Sequence, residues 1–328
     1  MISVGLLGCG RIGQVHARSI TASHRATLAA ISDANLDAAN ALAIETGSCV
    51  SDAEGIFADD TIDAVIIGTP TDSHASYIEA AALAGKAILC EKPFDLSAER
   101  IRSCLEIVQR TAAPLMIGFQ RRYDPSFANL QTRIRAGEIG EIELVVLTSR
   151  DPAPPPLSYL KKSGGIFADM MIHDLDMARF LLGEEITEAH GAGSVLIDPE
   201  IKSVGDFDTA AATLKTASGK ICQITCSRRA AYGYDQRIEV HGSKGMLRAT
   251  NVHETTVELA NDNGFQTAPL VNFFLERYMP AYRAELDYFV DCIENGIAPT
   301  PSGEDGLQAQ MLADALTRSS STGTTIKI

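Results

Sequence analysis

No stretch of this chain is apolar for long enough to read as a membrane span, and no charged leader precedes the opening strand-like run ISVGLLGCG. Neither a membrane protein nor a secreted one is expected. Positive charge is scarce: 28 Lys and Arg stand against 42 Asp and Glu, a net charge of −14, with an isoelectric point near 4.9. Nucleic acid or an anionic membrane surface would be repelled, so neither is expected as a partner. A disulfide framework is lacking too, because the seven cysteines are odd in number and irregularly spaced. Cys222 and Cys226 form the one close pair and would share an apolar strand face, which reads as small buried residues in a reducing cytoplasm rather than a zinc site. No internal repeat is visible. What remains is ordinary for a globular chain: 328 residues, 45% hydrophobic and 21% charged, enough for two domains.

The first third alternates strand and helix. SVGLLG, TLAAIS, DAVIIGTP, AILCEKP and PLMIGF are apolar runs separated by amphipathic stretches such as DAANALAIETG and HASYIEAAALAG, several of which close on Gly. This alternation predicts an N-terminal doubly wound Rossmann domain over 1–119. Past about Ile142 the pattern changes to IELVVLTSR, DTAAATLKT, KICQITCSRR, QRIEVHG, GMLRATN and TTVELAN with short turns between them. These predict an α+β domain over 120–328 with a largely antiparallel sheet. Helical periodicity returns in AYRAELDYFVDCIENG and SGEDGLQAQMLADALTRS, and the C-terminal helix is free to pack back on the first domain. The fold class is α/β.

Phosphate chemistry is written at the start. GCGRIG places Gly8, Gly10 and Gly13 in GxGxxG spacing between a strand and a helix, with Arg11 and Ile12 inside the turn. The first glycine permits a tight turn, the second lets the backbone approach a pyrophosphate, and the third packs helix on strand. Asp33 closes the second strand twenty residues after Gly13, the position of an acid that binds adenosine ribose hydroxyls. A dinucleotide is expected there, and the acid selects NAD.

A second motif, GGIFADMMIHDLD from Gly164 to Asp176, sets acids and a histidine among Ile166, Phe167, Met170, Met171, Ile172 and Leu175. On one helix Asp169 and His173, four apart, would share a face. Ionisable groups buried among such neighbours need partners or a task. Asp174 and Asp176 suit capping, pairing with Arg179 or contacts to neighbouring loops. A metal site from Asp169, His173 and Asp176 lacks a completing cluster, so no metal is expected.

TPTDSH (Thr69, Pro70 to His74), EKP (Glu91, Lys92, Pro93) and GGIFADMMIHDLD, together with the N-terminal glycines, resemble the glucose–fructose oxidoreductase, inositol dehydrogenase and rhizopine-catabolism (Gfo/Idh/MocA) family over essentially the whole chain. More locally, GFQRRYDP, SRDP and RRAAYGYDQRIEVHGSKG look like its bacterial inositol 2-dehydrogenase branch. The resemblance implies a catalytic set of Lys92, Asp169 and His173, with His173 the general base and Asp169 orienting the imidazole or Lys92 or holding a second substrate hydroxyl. It implies NAD contacts from Gly8, Gly10, Arg11, Ile12, Gly13, Asp33, Thr69, Pro70, His74, Glu91 and Lys92. Arg122, Asp151 and Tyr234 are implied as substrate contacts beside Asp169 and His173; Arg121 is equally suited to pairing with Asp124, and His16 suits a structural place. The implied reaction is NAD-dependent oxidation of a cyclitol secondary alcohol, myo-inositol to scyllo-inosose first. scyllo-Inositol or another sugar or polyol is the alternative, because Gln120 departs from the family's residues before the arginine pair. A dinucleotide sensor without turnover is the non-enzymatic alternative. A cytoplasmic homotetramer is implied.

Overall fold

The structure, a computed structural model, describes residues 1–328. Two compact units emerge, Met1–Tyr123 with Met279–Gln310, and Asp124–Tyr278 with Met311–Ile328. The first contains β1 (Ile2–Leu7), α1 (Arg11–Thr21), β2 (Ala26–Ser32), α2 (Leu36–Thr46), β3 (Cys49–Val50), α3 (Ala53–Ala58), β4 (Ala64–Ile67), α4 (His74–Leu83), β5 (Ala87–Glu91), α5 (Ala98–Thr111) and β6 (Leu115–Gly118). Its six strands run parallel in the order β3-β2-β1-β4-β5-β6. Every residue of β4 and β5 is buried, as a parallel sheet covered on both faces requires. The order reverses between β1 and β4, and the carboxyl ends of strands at such a switch point open the crevice used for ligands. Local chemistry sets the helix ends: Asn35 accepts from the Asp37 and Ala38 N–H groups to start α2, and Gly47 at φ 73° ends it. β3 was not legible beforehand, since its two residues are exposed and show no hydrophobic period.

The second unit contains α6 (Pro125–Arg135), β7 (Ile142–Arg150), α7 (Leu157–Leu160), α8 (Gly165–Asp169), α9 (Ile172–Leu182), β8 (Ile186–Ser194), β9 (Thr209–Thr216), β10 (Ile221–Ser227), β11 (Asp235–Gly242), β12 (Gly245–Ala249), β13 (Glu258–Asn261) and β14 (Gly264–Thr267). Then follow α10 (Phe274–Asn295), α11 (Gly303–Thr322) and β15 (Ile326–Lys327). The larger sheet runs β12-β11-β7-β10-β9-β8-β15. Only the β7–β10 pair is parallel, so the sheet is largely antiparallel. Cys222 and Cys226 lie on one buried face of β10 as free thiols. No helix is long and apolar enough to cross a membrane.

Strand β8, ITEAHGAGS, escapes a reading by composition because of its two glycines. Packing explains them. A Cβ on Gly191 would lie 3.0 Å from the Leu316 carbonyl oxygen, and one on Gly193 would lie 2.4 Å from the Phe207 ring. The chain after Tyr278 also returns to the first unit. There Leu286, Phe289 and Val290 of α10 join Leu6, Ile66 and Leu89 in one apolar cluster.

One expectation needs correction. Asp169 and His173 do not share a continuous helix, since Asp169 ends α8 and His173 is the second residue of α9. The Met170 and Met171 N–H groups both donate to the Ile166 carbonyl, at 3.1 and 2.9 Å, and the next turn restarts on the Met171 carbonyl. This double closure ends one helix and begins another.

Candidate active site

In the first unit the three glycines perform three different tasks. Gly8 sits at φ +99°, and a Cβ there would lie 2.6 Å from the Gly68 oxygen. A Cβ on Gly13 would lie 1.9 Å from the Gly8 oxygen, while Gly10 has nothing within 4 Å of its Cβ position. The turn is tight, the helix is pressed on the strand, and the middle glycine faces open space where a pyrophosphate can approach. Gly10 starts α1 without a side-chain cap, and the first turn, which includes Arg11 and Ile12, carries no acid. Its N–H groups therefore suit an anion. Asp33 is pinned after β2, with Oδ2 accepting from the Cys9 N–H at 2.6 Å and Oδ1 from the Asn35 N–H at 2.7 Å. Burial, with the Asp33 charge beside it, pushes the Cys9 thiol up to about 11, so it stays an inert neutral group. These residues fit a dinucleotide.

The next two loops are joined through His74. Its Nδ1 meets the Pro93 carbonyl and its Nε2 the Thr69 carbonyl, each at 2.8 Å. The TPTDSH turn is thereby tied to EKP, with Pro70 left exposed. Glu91 is buried, its Oε1 2.8 Å from His16 Nε2, and its Oε2 accepts from the Lys92 N–H at 3.3 Å. His16 stacks edge-on against Tyr282 of α10. On that helix Glu285 is fully buried, with neither carboxylate oxygen hydrogen-bonded. Burial, reinforced by the Glu91 charge, raises its carboxyl well above the usual range, which holds it protonated. Arg122, in the turn Gln120–Tyr123, lies 3.0 Å from Asp305 and 3.3 Å from the Thr300 hydroxyl.

In the second unit Asp169 is buried and engaged through both oxygens. The Tyr159 hydroxyl donates to Oδ1 at 2.7 Å, and Arg228 Nη1 donates to Oδ2 at 3.3 Å. Arg228 also donates to Asp206 Oδ2 at 3.2 Å. His173 is half-buried in the first turn of α9. Asp174 accepts from the Ser149 hydroxyl at 2.6 Å, Asp176 is fully buried, and Arg179 forks onto Glu185. Asp124 caps α6 and pairs with Arg277. Asp151 follows β7 with its N–H on the Ser227 carbonyl. Tyr234 is buried in an aromatic cluster with Phe273 and Tyr278.

Tyr159, Asp206 and Arg228 were not singled out from the sequence. The only available signal was the arginine pair in SRRAAYG; its acids lie 59 and 22 positions away, and no local pattern joins them.

Residues 2–119 match the description "Oxidoreductase family, NAD-binding Rossmann fold", and residues 127–248 match "GFO/IDH/MocA C-terminal domain". The chain belongs to the Gfo/Idh/MocA family. It is an NAD-dependent oxidoreductase, and its relatives are close. An inositol 2-dehydrogenase of Rhizobium meliloti is 52% identical over 97% of this chain and 96% of its own. A myo-inositol 2-dehydrogenase of Thermotoga maritima is 43% identical over 96% and 95%. The Gfo/Idh/MocA fold recurs in the crystal structure of a scyllo-inositol dehydrogenase from Lactobacillus casei with NAD(H) and scyllo-inositol. That structure matches at TM-score 0.93 and 31% identity, covering 100% of this chain and 99% of that one.

Proposed function

We propose that the protein oxidises a ring hydroxyl of a cyclitol, myo-inositol to scyllo-inosose, with NAD. The observation that carries this reading is Asp169, a buried carboxylate held through both oxygens four residues before His173, in a chain 52% identical to an inositol 2-dehydrogenase. When bound, NAD supplies the hydride acceptor. Gly8, Gly10, Arg11, Ile12, Gly13, Asp33, Thr69, Pro70, His74, Glu91 and Lys92 hold it. His173 takes the hydroxyl proton as the carbon loses its hydride, because an imidazole exchanges protons near neutral pH. Lys92 stabilises the alkoxide charge that develops on the same oxygen. Asp169 orients these groups, and Arg122, Asp151 and Tyr234 complete the hydroxyl contacts a cyclitol requires.

A panel of polyols and sugars with NAD and NADP, followed by absorbance of the reduced cofactor, tests the proposal. Highest catalytic efficiency with myo-inositol supports it. Preference for scyllo-inositol, the ligand named for the Lactobacillus casei relative, would move the assignment to that isomer, and cofactor binding without turnover would make the protein a sensor. We further propose a homo-oligomer, because β7 and β10 carry Leu144, Val146 and Ile221 opposite their buried face, and a tetramer on the resemblance to the family. Seven free thiols suit a cytoplasmic setting.

A further inference from the structure

Arg228 follows β10 and is 1% exposed. A guanidinium taken out of water is costly unless it is paired. Its two terminal nitrogens go to different acids: Nη1 to Asp169 at 3.3 Å and Nη2 to Asp206 at 3.2 Å. Asp206 is itself committed, since its Oδ1 accepts from the Ile166 N–H at 2.7 Å. Ile166 lies in the first turn of α8 and Asp169 is its last residue. Arg228 and Asp206 therefore clasp this helix of five residues at both ends. So short a helix cannot hold its own geometry by backbone bonds alone. The clasp leaves Asp169 Oδ1 facing the Tyr159 hydroxyl at 2.7 Å, with its rotation blocked from the other side.

We propose that Arg228 is a positioning residue for the reaction, fixing the Asp169 carboxylate by bridging it to Asp206. This rests on the proposed role of Asp169. A planar fork that serves two carboxylates along separate N–H directions suits arginine; a lysine ammonium is a single point that can favour one of them.

The test is a cycle built from Arg228→Met and Asp169→Asn, with Arg228→Lys beside it. All are assayed for kcat and KM with NAD and the best cyclitol, and for Tm. Arg228→Met should lower kcat about a hundredfold, the effect of a reacting group displaced by about an ångström, while KM for NAD stays unchanged. Arg228→Lys should recover part of that loss. Because Arg228 acts through Asp169, adding Arg228→Met to Asp169→Asn should lower kcat no further. Independent losses that multiply in the double variant would overturn the inference, as would wild-type kcat in Arg228→Met or Arg228→Lys while Asp169→Asn is slow. If Asp169→Asn itself turns over at the wild-type rate, the reading of the site falls and the inference with it. Should Arg228→Met fail to fold, Arg228→Lys runs the same cycle.

Discussion

Asp33 offers the sharpest test of the cofactor site. Both oxygens are already fixed by backbone donors, Cys9 N–H at 2.6 Å and Asn35 N–H at 2.7 Å, so the carboxylate cannot swing away from what binds beside it. Its remaining lone pairs can accept from ribose hydroxyls, and hydrogen bonds to a charged group contribute about 1.5–3 kcal/mol each. A 2′-phosphate would instead meet a like charge, costing about 4 kcal/mol per unit charge at ~4 Å near a protein surface. Asp33 is half-exposed, and water screens much of this. A conservative floor is ~1.4 kcal/mol, about tenfold in kcat/KM for NAD over NADP. Ala34, Asn35 and Leu36 bring no cation to reverse the sign. Asp33→Ser should erode the preference from both sides, weakening NAD and relieving NADP. Asp33→Asn, which removes charge with little change of shape, should shift it the same way. Losing acceptors for the Cys9 and Asn35 N–H groups will also lower Tm, but the ratio of the two cofactors on one enzyme is insensitive to the fraction folded. Initial rates of NADH and NADPH formation at matched cyclitol read the effect. Equal use of NADP by the unmodified enzyme, or an unchanged ratio in Asp33→Ser, would refute the reasoning.

Lys92→Met should still bind NADH, followed by its fluorescence, through the remaining cofactor contacts, yet turn over at least about a hundredfold more slowly, the scale of a lost charge-stabilising donor; near-normal turnover would remove Lys92 from the chemistry. His173→Ala should lose the acidic limb of the pH–rate profile, and an unchanged limb would send the proton to another group. Glu285→Gln should gain Tm relative to the unmodified protein increasingly as pH rises above the ordinary glutamate value of 4.5. The unfolded chain ionises there first while buried Glu285 keeps its proton, so folding is progressively disfavoured until Glu285 itself ionises. A Tm difference that is flat with pH would contradict a Glu285 held protonated in the folded protein. Light scattering at micromolar concentration should show a tetramer, and a monomer alone would leave the outer face of β7 and β10 without its assigned partner.

Local spacing was enough to determine much of this protein. GxGxxG followed by Asp33, and apolar runs alternating with capped amphipathic stretches, specify a doubly wound NAD-binding unit, because turn sterics and hydrophobic periodicity act over a few residues at a time. The Gfo/Idh/MocA motifs identified the family for the same reason: EKP and IHD are contiguous. Tertiary structure decided what depends on distant partners. β8 is a strand because it pairs with β9 and β15, while the Leu316 backbone and the Phe207 ring leave room only for glycine at 191 and 193, and ITEAHGAGS by itself does not favour one. Glu285 is held neutral only because folding sets it, unpartnered and buried, beside Glu91. The break at Met170 and Met171 parts Asp169 from the helix of His173. Arg228 then reaches across 59 positions to hold that carboxylate, a contact that only folding creates and burial makes strong.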